Sequence, residues 1–337
     1  MSNKNIHLTS SEIASVWTSY MQNSMSIQIL NYFLQTVEDS EVKGVVKKAF
    51  AISSTHLSQL TKVFEAEEIP LPDAFNESDV NLNASKLYTD PFMLTYLNHM
   101  SKAGMLGYSG FLSMSTRADI RKIFKETLSL TSDLFEKSSE VLLEKGLYIR
   151  SPYIDYPKHK DFVDSKSYLS GMNPFSTKRP LNTIELSHLH MNIQNNMIGA
   201  KLSISFAQFS PRKEVQKLML RGKDISEKHI KIFTSILLTN DTQAPISADV
   251  SITDSTEQVF SDKLLLFHQG MLTASGTGNY ATSAAASQRS DLIVNYERFS
   301  FEIAQYAKDI ADEMIQKGWL EQPPGTSDKK KLARDKR

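Results

Sequence analysis

The 337-residue sequence contains no cysteine. Disulfide bonds, thiolate zinc sites and cysteine nucleophiles are therefore excluded, and the composition fits a reducing compartment. The sequence also lacks a run approaching the roughly 18 apolar residues of a membrane-spanning helix. Its N-terminal segment MSNKNIHLTS lacks the apolar region of a secretion signal. We expect a protein that has no membrane span and resides in the cytoplasm.

The sequence also has no excess of positive or negative charge, because 38 basic residues balance 38 acidic residues. We therefore expect no nucleic-acid partner. The basic excess is confined to the tail 325–337, GTSDKKKLARDKR, which we expect to be disordered and solvated. With 40% hydrophobic residues the rest of the chain can bury a sizeable core, and its length predicts two domains.

The sequence is internally duplicated. Glu12 and His56 are 44 residues apart, and Glu185 and His229 are separated by the same 44 residues. RADI and RSDL, and the helix-ending segments KGL and KGW, are related by nearly the same offset of 172 to 173 residues. Several matches at one offset indicate two copies of a unit of about 140 residues. We expect unit one at 8–150, an ordered linker at 151–180 and unit two at 181–324.

Each unit is predicted to contain four helices. Apolar residues recur at three- and four-residue steps, as expected of amphipathic helices with one buried face. The connection between the second and third helices is long in both copies, at 69–89 and at 241–260. A four-helix bundle with one crossover requires such a connection, and this is the ferritin-like topology. The predicted fold class is therefore all-α, with two tandem ferritin-like four-helix bundles.

Several segments carry a family resemblance. The middle connections EIPLPDAFNESDVN and APISADVSITDS, the segments FSDKLLLFH and KGWLEQPP, and the RADI and RSDL pair resemble an uncharacterised family of tandem ferritin-like proteins. These proteins come from spore-forming bacteria and are related to spore coat protein F. The resemblance covers the chain from about Ser10 to Pro324. It implies the same fold and a role in sporulation or stress, in a family without an established activity.

One end of each unit is predicted to hold a cluster of polar residues. The crossover topology brings the starts of the first and fourth helices close to the end of the second. Each histidine lies on an apolar stripe, so we expect it to be buried with the glutamate as its hydrogen-bond partner. The predicted clusters are Glu12, His56, Arg117 and Asp119 in unit one, and Glu185, His229, Arg289 and Asp291 in unit two.

These clusters have two interpretations. Glu12 and Glu185 stand at the third position of helix starts that resemble capping boxes, and Asp119 and Asp291 lie in first helical turns, where the helix dipole stabilises a carboxylate. This arrangement favours a structural cluster that fixes helix register. The alternative is a metal or proton-transfer site, because such sites show the same signals.

Unit two carries one Glu-x-x-His motif, formed by Glu185 and His188, whereas unit one has none. A ferritin-type di-iron centre needs two such motifs and two further glutamates, so the ligand set is incomplete. We therefore expect no cofactor. The alternative is a single divalent ion, of iron, manganese or zinc, held by Glu185, His188, His229 and Asp291.

Glycines are concentrated in the third helix of each unit, although glycine costs about 1 kcal/mol per helical position relative to alanine. Close approach of a neighbouring helix is the favoured explanation. The alternative is a cavity for a small apolar ligand inside the bundle. Its lining would include Gly104, Gly107, Gly110 and Tyr108 in unit one, and Gly276 and Tyr280 in unit two.

The linker 151–180 is too rich in apolar side chains for a free tether, so we expect it to pack against the two units. The side chains expected to make this contact are Tyr153, Tyr156, Phe162, Tyr168, Leu169 and Phe175.

Two functions follow from these patterns. The favoured one is a non-catalytic structural or interaction protein of the sporulating or stressed cell, associated with the spore and bound to other proteins or to further copies of itself. The incomplete ligand set, the duplication and the family resemblance support it. The alternative is a metal-binding or small-ligand-binding bundle protein with oxidoreductase-type chemistry in unit two.

Overall fold

The computed structural model describes residues 6–173, 178–245 and 251–334. Their regular structure is helical, and no strand is formed in them. None of the described helices is long and apolar enough to cross a membrane. The α-helices are α1 (Ser10–Thr36), α2 (Ser40–Ala66), α3 (Asp90–Ser113), α4 (Ala118–Glu144), α5 (Thr183–Phe209), α6 (Lys213–Leu238), α7 (Asp262–Ala286), α8 (Ser290–Gln316) and α9 (Lys329–Arg334).

Helices that are consecutive in the sequence pack as antiparallel pairs joined by short turns. In unit one α1 pairs with α2 and α3 with α4, and in unit two α5 pairs with α6 and α7 with α8. The two pairs of each unit also contact each other, through α2 with α3 and α4, and through α5 with α7. The all-α class predicted from the sequence is therefore confirmed.

The fourth helix of each unit ends at a glycine. Gly146 follows α4 with a φ of 66°, and Gly318 follows α8 with a φ of 68°. This left-handed conformation ends a helix and is disfavoured for residues with a Cβ. The KGL and KGW segments of the sequence therefore mark the same structural stop in both copies.

The two units share a hydrophobic core, because the larger of two clusters of buried side chains runs through both, while a smaller one around Phe64 and Phe124 lies in unit one. Their middle connections also meet in two isolated antiparallel bridges, Val80 with Phe260 and Tyr88 with Ile252. At the repeat offset of 172 residues, Val80 corresponds to Ile252 and Tyr88 to Phe260. Each bridge is therefore the counterpart of the other, and the units pack as a pseudo-twofold pair.

The pseudo-twofold axis passes close to Tyr96 of α3 and His268 of α7, which occupy equivalent positions in the two copies. The phenol OH of Tyr96 lies 3.2 Å from Nε2 of His268. Burial lowers the pKa of His268 to about 4, so its imidazole is neutral at neutral pH. This hydrogen bond therefore joins the units without burying a charge.

Two equivalent pairs of residues also join the units, and they interact in chemically different ways. Tyr32 packs edge-on against Phe260, with ring centroids 5.6 Å apart. At the equivalent place, Ser205 and Tyr88 form a hydrogen bond of 2.9 Å between their hydroxyl groups. The small serine faces the tyrosine that carries the additional hydroxyl, so the two copies have diverged by compensating changes.

The linker differs from the prediction. Most of the side chains expected to pack are exposed, so that expectation is wrong for them. They are Tyr153, Tyr156, Phe162 and Leu169, with exposed fractions of 85%, 92%, 86% and 53%. The run KHKD at 158–161 lies among them, and burying the rings would bury these charges as well. Tyr168 does pack, 3.9 Å under the guanidinium of Arg179, and Phe175 lies outside the described residues.

The tail also differs in part from the prediction. Residues Lys329–Arg334 form the short exposed helix α9, so the expectation of disorder is wrong for this stretch. The side chain of Asp328 accepts the backbone N–H groups of Lys330 and Lys331 and caps the helix. Residues 335–337 lie outside the described residues.

We predict that Tyr88→Phe lowers the free energy of unfolding of the whole chain by about 1 kcal/mol, the net value of a buried hydrogen bond. Calorimetry should show one transition that shifts as a whole, because the core containing Tyr88 belongs to both units. Tyr156→Phe removes an exposed hydroxyl and serves as the control, with no expected shift. Two transitions, of which Tyr88→Phe moves one, would contradict a shared core.

Candidate functional site

The polar cluster of unit one forms around the buried carboxylate of Glu12. Its Oε1 accepts the backbone N–H groups of Thr116 at 2.8 Å and Arg117 at 2.7 Å, and its Oε2 accepts the N–H and hydroxyl groups of Thr9, both at 2.8 Å. Burial raises the pKa of Glu12, but the hydrogen bonds outweigh this effect and lower the pKa to about 2. The charged carboxylate therefore clamps the start of α1 to the start of α4.

Unit two repeats this arrangement with an additional arginine. Oε1 of Glu185 accepts the backbone N–H groups of Gln288 at 3.1 Å and Arg289 at 2.9 Å, and Oε2 accepts that of Asn182 at 3.1 Å. Arg179 binds both carboxylate oxygens at 2.8 Å. Burial raises the pKa of Glu185, but Arg179 and the backbone donors lower it overall. The same two helix starts are thus clamped in both copies.

The predicted arginine and aspartate of each cluster are also present at this end. The guanidinium of Arg117 binds Asp119 at 2.6 Å, and that of Arg289 binds Asp291 at 2.9 Å. Both arginines occupy the N-cap position of the fourth helix, whose backbone N–H binds the buried glutamate. The structure therefore brings together the predicted glutamate, arginine and aspartate in each unit.

The histidines lie elsewhere in the units. Glu12 is in the first turn of α1 and lies opposite the end of α2, whereas His56 precedes that end, at Ala66, by ten residues. At a rise of about 1.5 Å per residue, this places them about 15 Å apart along the helices. The predicted hydrogen bond between Glu12 and His56 is therefore wrong, and Glu185 and His229 likewise have other partners.

Each histidine belongs instead to an Asn–His–Tyr triad in the middle of its unit. In unit one, Nδ2 of Asn23 lies 3.1 Å from Nδ1 of His56 and 3.3 Å from the OH of Tyr108. Burial lowers the pKa of His56 to about 3, so the ring is neutral and Nδ1 accepts from the amide. Nε2 then carries the proton, and it has no hydrogen-bond partner among the described residues.

In unit two, the triad is Asn196, His229 and Tyr280. The OH of Tyr280 lies 2.8 Å from both Nδ1 of His229 and Nδ2 of Asn196. Nε2 of His229 lies 3.1 Å from a carboxylate oxygen of Glu302, whose equivalent position in unit one is Leu130. Burial lowers the pKa of His229, and Glu302 opposes this shift. The second triad therefore extends to a carboxylate, whereas the first ends at an unpaired N–H.

The asparagines of these triads were not predicted from the sequence. Asn23 and Asn196 are related by the same offset of 173 residues as the histidines, so the repeat contained a signal for both. Glu302 has no such signal, because unit one has leucine at the equivalent position.

The four metal ligands proposed for unit two have separate partners. Glu185 and Asp291 bind the arginines described above, and His229 belongs to the triad. Nδ1 of His188 lies 3.1 Å from the hydroxyl of Ser283. In the described part of the chain, no three histidine, aspartate or glutamate side chains are grouped as a metal ion would require.

The helical glycines have different surroundings. Gly104 and Gly276 are equivalent by the repeat, and a Cβ on them would lie 3.1 Å from the side chain of Thr131 and 3.4 Å from that of Ile303. At Gly104 glycine allows the fourth helix of the unit to approach the third closely, whereas a Cβ on Gly276 would make an ordinary contact. A Cβ on Gly107 would meet nothing closer than 4.0 Å, so close approach does not account for that residue.

The predicted ligand space in unit one is small. Gly104, Tyr108 and Asn23 line a cavity of about 100 Å³, which is below the roughly 300 Å³ at which ligand pockets begin. Gly107 and Gly110 are not part of its lining. In unit two the ring of Tyr280 packs among the rings of His229, Phe233, Tyr296 and Phe299.

Fold and polar clusters together define a duplicated all-α protein. The chain belongs to the family described as protein of unknown function (DUF3231), which matches it twice, over residues 1–159 and 170–332. A crystal structure of a candidate spore coat protein from Bacillus halodurans C-125 is similar at 20% identity, over 47% of this chain and 99% of that chain, with a TM-score of 0.39. No curated protein matches the chain.

We predict that Glu12→Gln lowers the free energy of unfolding by about 1–3 kcal/mol at pH 7, because the glutamine NH₂ would face donors instead of accepting from them. The folded-state pKa of Glu12 lies below its ordinary value of 4.5, so its charge stabilises the fold above pH 4.5 and this effect is lost as the pH falls toward 2. The difference between variant and parent in urea unfolding should therefore narrow from pH 7 to pH 3.

The matched control for this substitution is Glu65→Gln, at an exposed position of α2. It should leave the unfolding midpoint unchanged at both pH values. Equal effects of the two substitutions at pH 7 would show that the buried clamp contributes nothing.

We predict that His229→Leu costs about 1 kcal/mol more stability than His56→Leu in urea unfolding at pH 7, because it removes one more hydrogen bond, the one to Glu302. Glu302→Leu reproduces the arrangement of unit one. In that background His229→Leu should cost about as much as His56→Leu. Equal costs of the two single histidine substitutions would rule out a contribution from Glu302.

Proposed function

We propose that this protein is a non-catalytic structural protein built from two ferritin-like four-helix bundles, each with a long crossover. The shared core joins the two bundles, whose helices form an extended surface. Its partners are other proteins or further copies of the chain. In line with the sequence resemblance, the protein acts in the sporulating or stressed cell and is associated with the spore.

The observation that carries this proposal is the saturation of the buried carboxylates. A carboxylate has about four lone-pair sites. Glu12 accepts from the N–H groups of Thr9, Thr116 and Arg117 and from two hydroxyls. The carboxylate of Glu185 likewise accepts hydrogen bonds from three backbone N–H groups and from Arg179. Groups engaged in this way hold helices together and have no free oxygen for a substrate or a metal ion.

A second observation supports a structural role. The clamps and the triads occur in both units at equivalent positions, each clamp around one buried carboxylate and each triad around one histidine. Buried polar networks whose members have partners favour one arrangement of the helices over others. Their presence in both copies is what a requirement of the bundle fold itself would produce.

The alternative function, metal-dependent chemistry in unit two, has one specific observation in its favour. His229 and Glu302 form the one histidine–carboxylate pair among the described residues, and Lys228 binds the same carboxylate at 2.7 Å. Imidazole and carboxylate are ligands for iron, manganese and zinc. A metal at this place would have to displace Lys228 from Glu302.

Elemental analysis of the chain purified without chelator distinguishes the two functions. We predict no stoichiometric iron, manganese or zinc, and the same result for the double variant His188→Ala/His229→Ala. His56→Ala is the matched control, because it removes the equivalent histidine of unit one. Stoichiometric metal that is kept in the control and lost in the double variant would overturn the structural proposal for unit two.

A further inference from the structure

A cavity of about 460 Å³ lies between the two units. Its walls come from α3 and the segment after α4 in unit one, and from α5 and α6 in unit two. The volume is within the roughly 300–1,000 Å³ of small-molecule sites, which also occur preferentially between domains. Much of the wall is apolar, and this part includes Leu142, Leu147, Ile149, Met197, Ile198 and Ile204.

The cavity carries positive charge that no carboxylate of the described chain balances. Lys102 is half-buried in the wall and forms no ion pair with any described residue; its Nζ lies 5.7 Å from the ring centroid of Phe135 and 6.0 Å from that of Tyr148. Burial lowers the pKa of Lys102. Lys201, across the cavity in α5, likewise has no carboxylate partner in the described part of the chain.

The other polar groups of the cavity do not neutralise this charge. Glu227 is the carboxylate of the lining, and Lys223 of α6 binds it at 3.0 Å. His99, one turn before Lys102 on α3, has its pKa lowered to about 4 by burial and by Lys102, so it is neutral. A cation that is partly removed from water without a counter-ion is costly, and an anion supplied by a ligand would offset that cost.

The duplication shows that this lining is specific to one side of the molecule. At four of the equivalent positions, the other side of the molecule has an apolar residue, and at two of these the residue is larger. The counterparts of Thr95, His99, Lys102 and Leu147 are Phe267, Met271, Ala274 and Trp319. Phe267 packs against Phe75 there, with ring centroids 5.0 Å apart. The open, cationic lining is therefore not a by-product of the repeat.

We propose that this cavity binds a small anionic amphiphile, a monocarboxylic acid with an apolar chain, whose carboxylate pairs with Lys102 and whose chain lies along the apolar wall. The carboxylate supplies the missing counter-charge, and the chain removes apolar surface of both units from water. The ligand then bridges the units, so binding stabilises the whole chain by mass action. The site is separate from the clamps and triads, and it requires no catalytic role.

Isothermal titration calorimetry of the full chain with decanoate and with decanol tests this proposal. Decanoate should bind, and more tightly than decanol. Lys102→Met keeps the aliphatic stem and removes the charge, so it should weaken decanoate binding about tenfold or more while changing decanol binding by less than about twofold. Lys47→Met, at an exposed position of α2, is the matched control and should change neither.

Ala200→Trp fills the cavity from α5 and should abolish the binding of both compounds, and Ile149→Trp does the same from the other unit if the first variant does not fold. Circular dichroism melting verifies folding of each variant. Absence of decanoate binding to the parent chain, equal decanoate affinity in Lys102→Met and parent, or unchanged binding in a folded cavity-filling variant would each overturn the proposal.

Discussion

The buried glutamate near the start of each unit is the interaction on which the rest of the structure depends. Glu12 and Glu185 each lie between the N-termini of two helices, the first and the fourth of their unit, and accept backbone N–H groups from both. These N–H groups have no partner within their own helices, and the helix dipoles favour a negative charge there. One carboxylate thus determines which ends of two helices meet, which is compatible with a long connection in the middle of the unit and not with three short ones.

Apolar packing then joins the units. The interface consists of apolar side chains, of hydrogen bonds between neutral groups, such as Tyr96 with His268 and Tyr88 with Ser205, and of some contacts of charged groups, such as Lys263 with Asp73. The carboxylates of the clamps lie at the ends of the units, where helix termini stabilise them. The cluster of buried side chains that runs through both copies is apolar.

The sequence predicted the helices and the duplication well, because apolar periodicity and a constant offset are properties of the chain itself. It also located the clamps, since a glutamate at the third position of a helix start has few alternatives to capping. The hydrogen-bond partner of His56 could not be predicted from the sequence. A side chain on an apolar stripe contacts the residues at the same height on the neighbouring helices, and this depends on how the helices pack. At its height His56 lies beside Asn23 and Tyr108, about 15 Å along the helix axis from Glu12. The prediction that the linker packs against the units was wrong for a related reason. The apolar content of a segment does not show whether the units have a groove in which it can pack.

Comparison of the two copies separates what the fold needs from what one copy has in addition. The clamp glutamate, its arginine and the Asn–His–Tyr triad occur in both units, so they belong to the common requirements of the bundle. Arg179, Glu302 and Lys102 occur in one copy and are replaced by Ile6, Leu130 and Ala274 in the other, so they are not among the features that the two copies share. Arg179 and Glu302 are engaged by Glu185 and His229, which are themselves parts of the common framework. Lys102 has no carboxylate partner within the described chain and lies near the rings of Phe135 and Tyr148, so the proposed ligand would supply a counter-charge that the described chain does not.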